Sequence, residues 1–343
     1  VAQAAQNMET ISSVLTRPVG RKISRTVYIT ALIIVLSFYG YLFITGQSPA
    51  STVGPILPLR PGVPVFDKMI YGGFGELQFD KPMAVTAAHG RIYISDTNNS
   101  RIQVFDNNGG FLFTFGEKGK SQGQFLYPYG IAGDRNNNIY VSELYLSRIH
   151  VYDIDGIYQR DFATGLVNQG VIKSPGDITI VDNQMYLSDI SQNRIFVIDL
   201  ETEELVRQIG LEFDLMAPNG VAVDEAGNVF VTDTGRQRVV VFDPDGNPVR
   251  LINGTATGHG INSVLINPRG IGVDRSGNLY VVSNLSHTVF VFDREGKQIH
   301  SFGGQGDDND KFMFPNGLHV DNGGRIFITD TSNQRVAVYR LAR

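Results

Sequence analysis

One shape recurs six times along the chain, and that recurrence constrains the fold more than any other feature. Written as strand, loop and strand, the copies are "YISDTNNSRIQVFD" (93–106), "YVSELYLSRIHVYD" (140–153), "YLSDISQNRIFVID" (186–199), "FVTDTGRQRVVVFD" (230–243), "YVVSNLSHTVFVFD" (280–293) and "FITDTSNQRVAVYR" (327–340). A proline opens each unit: Pro82, Pro128, Pro175, Pro218, Pro268 and Pro315, at spacings of 46, 47, 43, 50 and 47 residues. A period in this range, with several short apolar runs per unit, is the mark of radially repeated four-stranded sheets. Such a unit cannot bury its faces alone and needs a neighbour on each side.

Each unit reads as four strands. A short apolar strand follows the proline, as in "GVAVD" (220–224), and a turn such as "EAGN" (225–228) or "RSGN" (275–278) follows it, with Gly supplying a positive φ. The second and third strands flank a polar loop. A second Gly-containing turn, as in "DPDGN" (243–247), leads to a looser fourth strand such as "FLFTFG" (111–116). The inner strands are almost continuous Val, Ile, Phe and Tyr, as a sheet buried on both faces requires. The last unit ends at Arg343 without its fourth strand, while "VFDKMIYGGFGELQFDKP" (65–82) holds an orphan strand, "KMIYGG", before the first proline. A ring must close or expose two edges, so residues 67–72 are expected to complete the final blade.

The polar loop carries a carboxylate at the end of the second strand and an arginine at the start of the third. The matched pairs are Asp96–Arg101, Glu143–Arg148, Asp189–Arg194, Asp233–Arg238 and Asp330–Arg335; the fifth unit has Ser283 and Thr288 instead. A carboxylate there can cap loop N–H groups and receive the guanidinium in a bidentate pair. Both charges vanish together in the fifth unit, as expected where removing one would strand the other. These residues are therefore read as structural fasteners rather than catalytic acids.

Pro-x-Gly, Asp-x-x-Gly-Asn and the Asp-to-Arg loop, shown best in "PNGVAVDEAGNVFVTDTGRQRVVVFD" (218–243), resemble the NHL-repeat family of β-propellers over about residues 66–340. No Trp occurs in the chain, which disfavours a WD40 propeller. The resemblance implies an all-β, six-bladed propeller of four-stranded blades. Related six-bladed hydrolases hold calcium in a ring of Asn and Asp or Glu on the top face. The ring positions after the prolines are Met83, Tyr129, Gly176, Asn219, Arg269 and Asn316, with Asp177 one residue further on. Three oxygen donors beside Arg269 make a poor cation site, and a solvated rim is expected. The family also includes a zinc-dependent amidating lyase, but His89, His150, His259, His287, His300 and His319 occupy unmatched positions and suggest no trio. His319 stands in a first strand where other units have Thr86, Ala132, Thr179, Ala222 and Gly272; a large polar residue there could reach the central channel, and a hydrogen-bonded structural role is the expected one. The contact candidates for a top-face ligand are Tyr129, Asp177, Asn219, Arg269, Asn316 and His319; no catalytic set, metal site or cofactor motif stands out. The turn "YDIDGIY" (152–158) lacks the full calcium-loop pattern, and "GDDNDK" (306–311) reads as a solvated acidic loop between the fifth and sixth units.

Ahead of the repeats the chain changes character. "VYITALIIVLSFYGYLFIT" (27–45) holds 19 residues without a charge, roughly 28 Å of helix and close to a bilayer core. Arg17, Arg21, Lys22 and Arg25 precede it and no charge follows until Arg60, which places residues 1–26 in the cytoplasm and the propeller on the periplasmic or extracellular side. A cleaved signal peptide is the competing reading; "SPAS" (48–51) makes a poor cleavage site. Thr26, Thr30, Ser37 and Gly40 form a stripe of small and hydroxyl residues suited to packing against another membrane helix. Prolines 55, 58, 61 and 64 recur at every third residue of the linker 46–65, a spacing that lines one edge of a polyproline II rod.

Charge and composition exclude further classes. Cys is absent, so neither disulfides nor Cys-based metal sites are available. Five of 29 basic and one of 34 acidic residues lie in 1–65, which leaves the repeats at 24 against 33, a balance of −9 that disfavours nucleic acid. The sequons at Asn98, Asn253 and Asn284 would stand on the outer side of the membrane. The reading is a membrane-anchored interaction scaffold, a subunit of a larger membrane complex whose partners meet its helix and its propeller. The alternative is an extracytoplasmic metal-assisted hydrolase or lyase with its site on the top face.

Overall fold

The structure is a computed structural model and describes residues 62–255 and 262–342, with Ser37 as a lone helical residue besides. The expected membrane span 27–45, the tail 1–26, the linker as far as residue 61, and Thr26, Thr30 and Gly40 of the packing stripe lie outside the described residues. Among the described residues no helix is long and apolar enough to cross a membrane.

The first strand, β1 (Pro64–Tyr71), belongs to the last sheet. Blade one then comprises β2 (Pro82–Ala88), β3 (Arg91–Asp96), β4 (Arg101–Asp106) and β5 (Phe111–Phe115). Blade two has β6 (Pro128–Gly133), β7 (Asn138–Glu143), β8 (Arg148–Asp153) and β9 (Tyr158–Asp161). Blade three has β10 (Pro175–Val181), β11 (Gln184–Asp189), β12 (Arg194–Asp199) and β13 (Leu205–Ile209). Blade four has β14 (Pro218–Val223), β15 (Val229–Asp233), β16 (Arg238–Phe242) and β17 (Pro248–Ile252). Blade five has β18 (Pro268–Val273), β19 (Leu279–Ser283), β20 (Thr288–Phe292) and β21 (Gln298–Gly303). Blade six pairs β22 (Leu318–Val320), β23 (Arg325–Asp330) and β24 (Arg335–Leu341) with β1 as its outer strand. The described residues thus make a six-bladed β-propeller of four-stranded antiparallel sheets. The closing strand starts at Pro64 and ends at Tyr71, three residues earlier and one earlier than the sequence places it, with Met69 opposite Ala337 and Tyr71 opposite Arg335.

The Asp-x-x-Gly-Asn turn has a direct local cause. Asp224 Oδ1 accepts N–H groups from Ala226 and Asn228 at 3.0 and 2.8 Å, and the Asn228 side chain returns a bond to Asp224 Oδ2 at 2.8 Å. Gly227 between them takes φ 84°, which costs a glycine little. The Pro-x-Gly motif has a tertiary cause. In blades one to five the register of the first strand slips just after the proline, so a bulge carries the next two residues toward the axis. The bulges of neighbouring blades nearly touch: a Cβ on Gly220 would meet Arg269 O at 2.3 Å, and one on Gly317 would meet Met83 O at 2.5 Å.

Buried side chains gather between blades, where each cluster takes residues from two adjacent sheets. The cluster joining the last blade to the first contains Ile70, Phe79, Val85, Ile92, Phe105, Phe327 and Val338, so the ring is sealed by packing as well as by strand pairing. Of the three sequons only Asn98 is exposed; Asn253 is buried, and Asn284 is buried with its amide nitrogen donating to Pro315 O at 2.8 Å.

Candidate functional site: the top face and the channel

The end of the propeller that carries the prolines and the carboxylate–arginine loops is called the top face. Three of the five expected pairs form there. Arg101, Arg238 and Arg335 each donate through Nε to Oδ2 of Asp96, Asp233 and Asp330 at 2.8 Å, and all three carboxylates are fully buried. The contact is single rather than bidentate, because the rest of the guanidinium serves backbone carbonyls: Arg335 reaches Asp307 O and Asp308 O, both at 2.7 Å. The other two pairs are not made among the described residues. Arg148 donates to Lys120 O at 2.9 Å, while Glu143 takes the N–H groups of Leu126, Tyr127 and Tyr145. Arg194 reaches across to Gln208 Oε1 at 2.9 Å, while Asp189 takes those of Lys173, Ser174 and Gln192.

What the six blades share is the bond from this position to the segment before the proline. Asp80, Leu126, Lys173, Met216 and Met313 donate their N–H groups to the carboxylate of their own blade, at 2.6–2.9 Å. In blade five Ser283 Oγ accepts Ile266 N–H at 2.8 Å, which keeps the link without a charge. Burial raises the pKa of Asp233 and Asp330, partly offset by these amide bonds and then by the arginine.

The flanking hydroxyls form a second set of ties that motif reasoning missed. Ser142, Ser188, Thr232 and Thr329, each one residue before the carboxylate, donate to the bulge carbonyl of the next blade. Thr97, Thr234 and Thr331, one residue after it, donate to the next blade's proline carbonyl at 2.6–2.8 Å. The repeated "[ST]-D-T" triplet was the available signal. Its meaning depends on how close adjacent bulges approach.

Four of the six expected contact residues converge. Tyr129 Oη donates to Asn219 Oδ1 at 2.8 Å, Arg269 Nη1 donates to Tyr129 Oη at 3.3 Å and to Asn316 Oδ1 at 3.1 Å, and Asn316 Nδ2 donates to Met83 O at 3.0 Å. Tyr129, Asn219 and Asn316 are buried and Arg269 is half-buried. They are not the solvated rim expected from sequence; they form a web across the top of the axis.

Below the web, the first strands enclose a channel of about 300 Å³ that reaches the opposite face. Asp177 and His319 line it, from blades three and six. Asp177 stands where four other blades have the bulge glycine, since blade three reads Pro-Gly-Asp rather than Pro-x-Gly. Its Oδ2 accepts Val221 N–H at 3.3 Å, with no cation in ion-pair reach among the described residues. Burial pushes its pKa up to about 7 against the pull of two backbone amides. Burial holds His319 down at about 4, so its imidazole is neutral near pH 7. Among the described residues no group of three or more His, Asp or Glu side chains is placed to hold a metal ion.

Above the web lies an open depression of about 460 Å³, with Tyr127, Tyr129, Leu144, Tyr145, Ile190 and Arg269 in its wall. Tyr127 stacks on both Tyr129 and Tyr145. Around it the top-face loops expose Phe74, Tyr145, Met216, Ile266, Leu285 and Phe314.

Known sequence families match in separate stretches: a six-bladed β-propeller family over residues 76–170, the NHL repeat over 215–242 and 312–339, and a β-propeller repeat over 257–284. The Drosophila melanogaster protein called brain tumor is 32% identical over 187 residues, covering 52% of this chain and 14% of that protein. The human E3 ubiquitin-protein ligase NHLRC1 is 27% identical over 180 residues, covering 52% of this chain and 43% of that protein. The chain therefore spans less than half the length of these two curated relatives. Virginiamycin B lyase from Staphylococcus aureus superposes with a TM-score of 0.55 at 15% identity, covering 76% of this chain and 80% of that one, a likeness of fold alone. Repeats and architecture agree: the chain is a six-bladed β-propeller that carries NHL repeats.

Proposed function

We propose that this chain is a protein-interaction scaffold whose top face docks a partner, and that it acts as a non-catalytic subunit of a membrane complex. In this reading residues 27–45 tether it, the propeller stands on the periplasmic or extracellular side, and the stripe from Thr26 to Gly40 packs against a partner's helix. The observation that carries the proposal is the apolar set on one face. Phe74, Tyr145, Met216, Ile266, Leu285 and Phe314 come from blades scattered through the sequence, yet all lie in loops at the proline end. Scattered exposed apolar side chains are ordinary, whereas a rim of them around a depression fits a docking surface. Phe314 adds to this. Its φ of 50° is the conformation that Lys81, Ala217 and Asn267 also take before their prolines, its N–H donates to His287 Nδ1 at 2.9 Å, and the residue stays 42% exposed.

The test is co-purification from detergent-solubilised membranes. The triple variant Tyr145→Ser, Met216→Ser, Phe314→Ser should lose partner subunits while its melting temperature stays near that of the parent. Thr30→Leu or Gly40→Leu should weaken retention through the membrane helix. Unchanged partners in every variant would sink the proposal.

A further inference from the structure

The centre of the top face holds a cation that pairs with no anion among the described residues. Arg269 Nη1 is committed to Tyr129 Oη and Asn316 Oδ1, both neutral. Among the described residues its Nε is buried without a hydrogen-bond partner, and its hydrogen bonds there all leave from Nη1. The Nε–Nη2 edge is the side of a guanidinium that grips a carboxylate with two parallel bonds. The three arginines of the formed fasteners each place Nε on one carboxylate oxygen, of Asp96, Asp233 and Asp330. Arg269 stands elsewhere in its blade, at the bulge after Pro268, and forms no ion pair among the described residues. Leaving a half-buried guanidinium donor unpaired is costly, and the cost is relieved when an anion arrives.

The surroundings say what kind of anion. The depression above Arg269 is walled by the stacked Tyr127, Tyr129 and Tyr145, with Leu144 and Ile190 beside them. Tyr145 is 66% exposed and stacks on Tyr127, so it is the part of the wall that a ligand in the depression meets first. Around this centre stands the apolar rim. One carboxylate surrounded by apolar and aromatic contact suits a short peptide. A polyphosphate backbone would want several cations, and the repeats carry a net negative charge.

We propose that the top-face depression is the seat of an acidic peptide segment. An Asp or Glu of the partner pairs with Arg269, and apolar neighbours in the partner lie on Tyr145 and the rim. The proposal rests on the reading of this face as an interaction surface and specifies its ligand.

The test pans a displayed library of random peptides against the full chain in detergent micelles, with Arg269→Gln and Tyr145→Ala in parallel. Selected peptides should carry an acidic residue beside aromatic or aliphatic ones. Changing that residue to its amide, or Arg269 to Gln, should weaken binding by on the order of tenfold. Tyr145→Ala, which touches no web bond, should weaken binding severalfold with an unchanged melt, and Arg269→Lys should restore part of what Arg269→Gln loses. Peptides without an acid, or affinity indifferent to both variants, would overturn the proposal. So would an empty selection, even where the rim triple variant still sheds its partners; that combination would leave the interaction surface standing. Tighter, Arg269-dependent binding of a mixed-sequence single-stranded RNA, read by fluorescence anisotropy, would replace the peptide with a phosphate ligand and also overturn it.

Discussion

Replacing Arg238 by Ala should cost the propeller about 2–4 kcal/mol at pH 8. Asp233 is fully buried and accepts two bonds, from Met216 N–H at 2.7 Å and from Arg238 Nε at 2.8 Å. A hydrogen bond to a charged group contributes about 1.5–3 kcal/mol when its loss leaves the partner buried. The guanidinium also lies 5.1 Å from the Phe213 ring centre, worth about 0.5–1 kcal/mol more at a partly exposed site. Arg194 is the internal control. Asp189 does not depend on it, and among the described residues its only side-chain hydrogen bond is to Gln208 Oε1, so Arg194→Ala should cost about 0.5–1.5 kcal/mol. Acid provides a second check. Burial already raises the Asp233 pKa, and loss of Arg238 raises it further. The variant's folded state then binds a proton more readily than the parent's, so its deficit should shrink as pH falls from 8 toward 5. Urea unfolding at both pH values reads all of this. Asp233→Ser with Arg238→Thr, copying blade five, should cost less than the sum of the single changes. The reasoning is refuted if Arg238→Ala is no worse than Arg194→Ala, if its deficit grows in acid, or if the two changes add.

Three further outcomes follow from the same contacts. Ile70→Ala should cost about 2–5 kcal/mol by urea denaturation, because Ile70 is buried in the cluster that joins the closing strand to blade one, whereas Val249→Ala on the exposed outer strand of blade four should stay within about 0.5 kcal/mol. Thr331→Val should cost about 1 kcal/mol in the same assay, since it removes the 2.8 Å bond to Pro82 O between the last and first blades. The channel pair should tilt the stability curve in opposite senses. The folded pKa of Asp177, about 7, lies above its ordinary value, so its contribution is present in acid and is lost as pH rises from about 4 to 7; that of His319, about 4, lies below its ordinary value, so its contribution is present above 6.5 and is lost as pH falls through 4. Asp177→Asn should therefore make stability rise more with pH between 4 and 7, and His319→Gln should make it fall more, as read from melting temperatures across that range.

The repeat, the strand order and the ring closure were legible because they depend on local alternation, turn residues and a count of strands. The missing fourth strand after Tyr339 and the orphan near Ile70 needed no coordinates to be matched. The arginine partners were less legible. Spacing puts a carboxylate opposite an arginine in five blades, but spacing is blind to competition. Glu143 is one methylene longer than Asp and spends its oxygens on three loop amides, and Arg194 finds an acceptor on the next strand. The web was hidden for another reason. Tyr129 and Asn219 are 90 residues apart, and Arg269 and Tyr129 are 140 apart. Their meeting depends on the ring diameter and on the bulge that aims them at the axis. The exchange of Gly for Asp at position 177 was visible in the aligned copies, and the bulge geometry gives it meaning.

Site-specific photo-crosslinking in intact membranes tests the central claim most directly. A benzophenone amino acid is placed singly at Tyr145, Leu285 or Phe314 on the top face, and at Ile157 or Val249 away from it. The account predicts a cross-linked band of the same partner from all three top-face positions and none from the other two. Cross-links confined to Ile157 or Val249, or no cross-link from any top-face position, would contradict it.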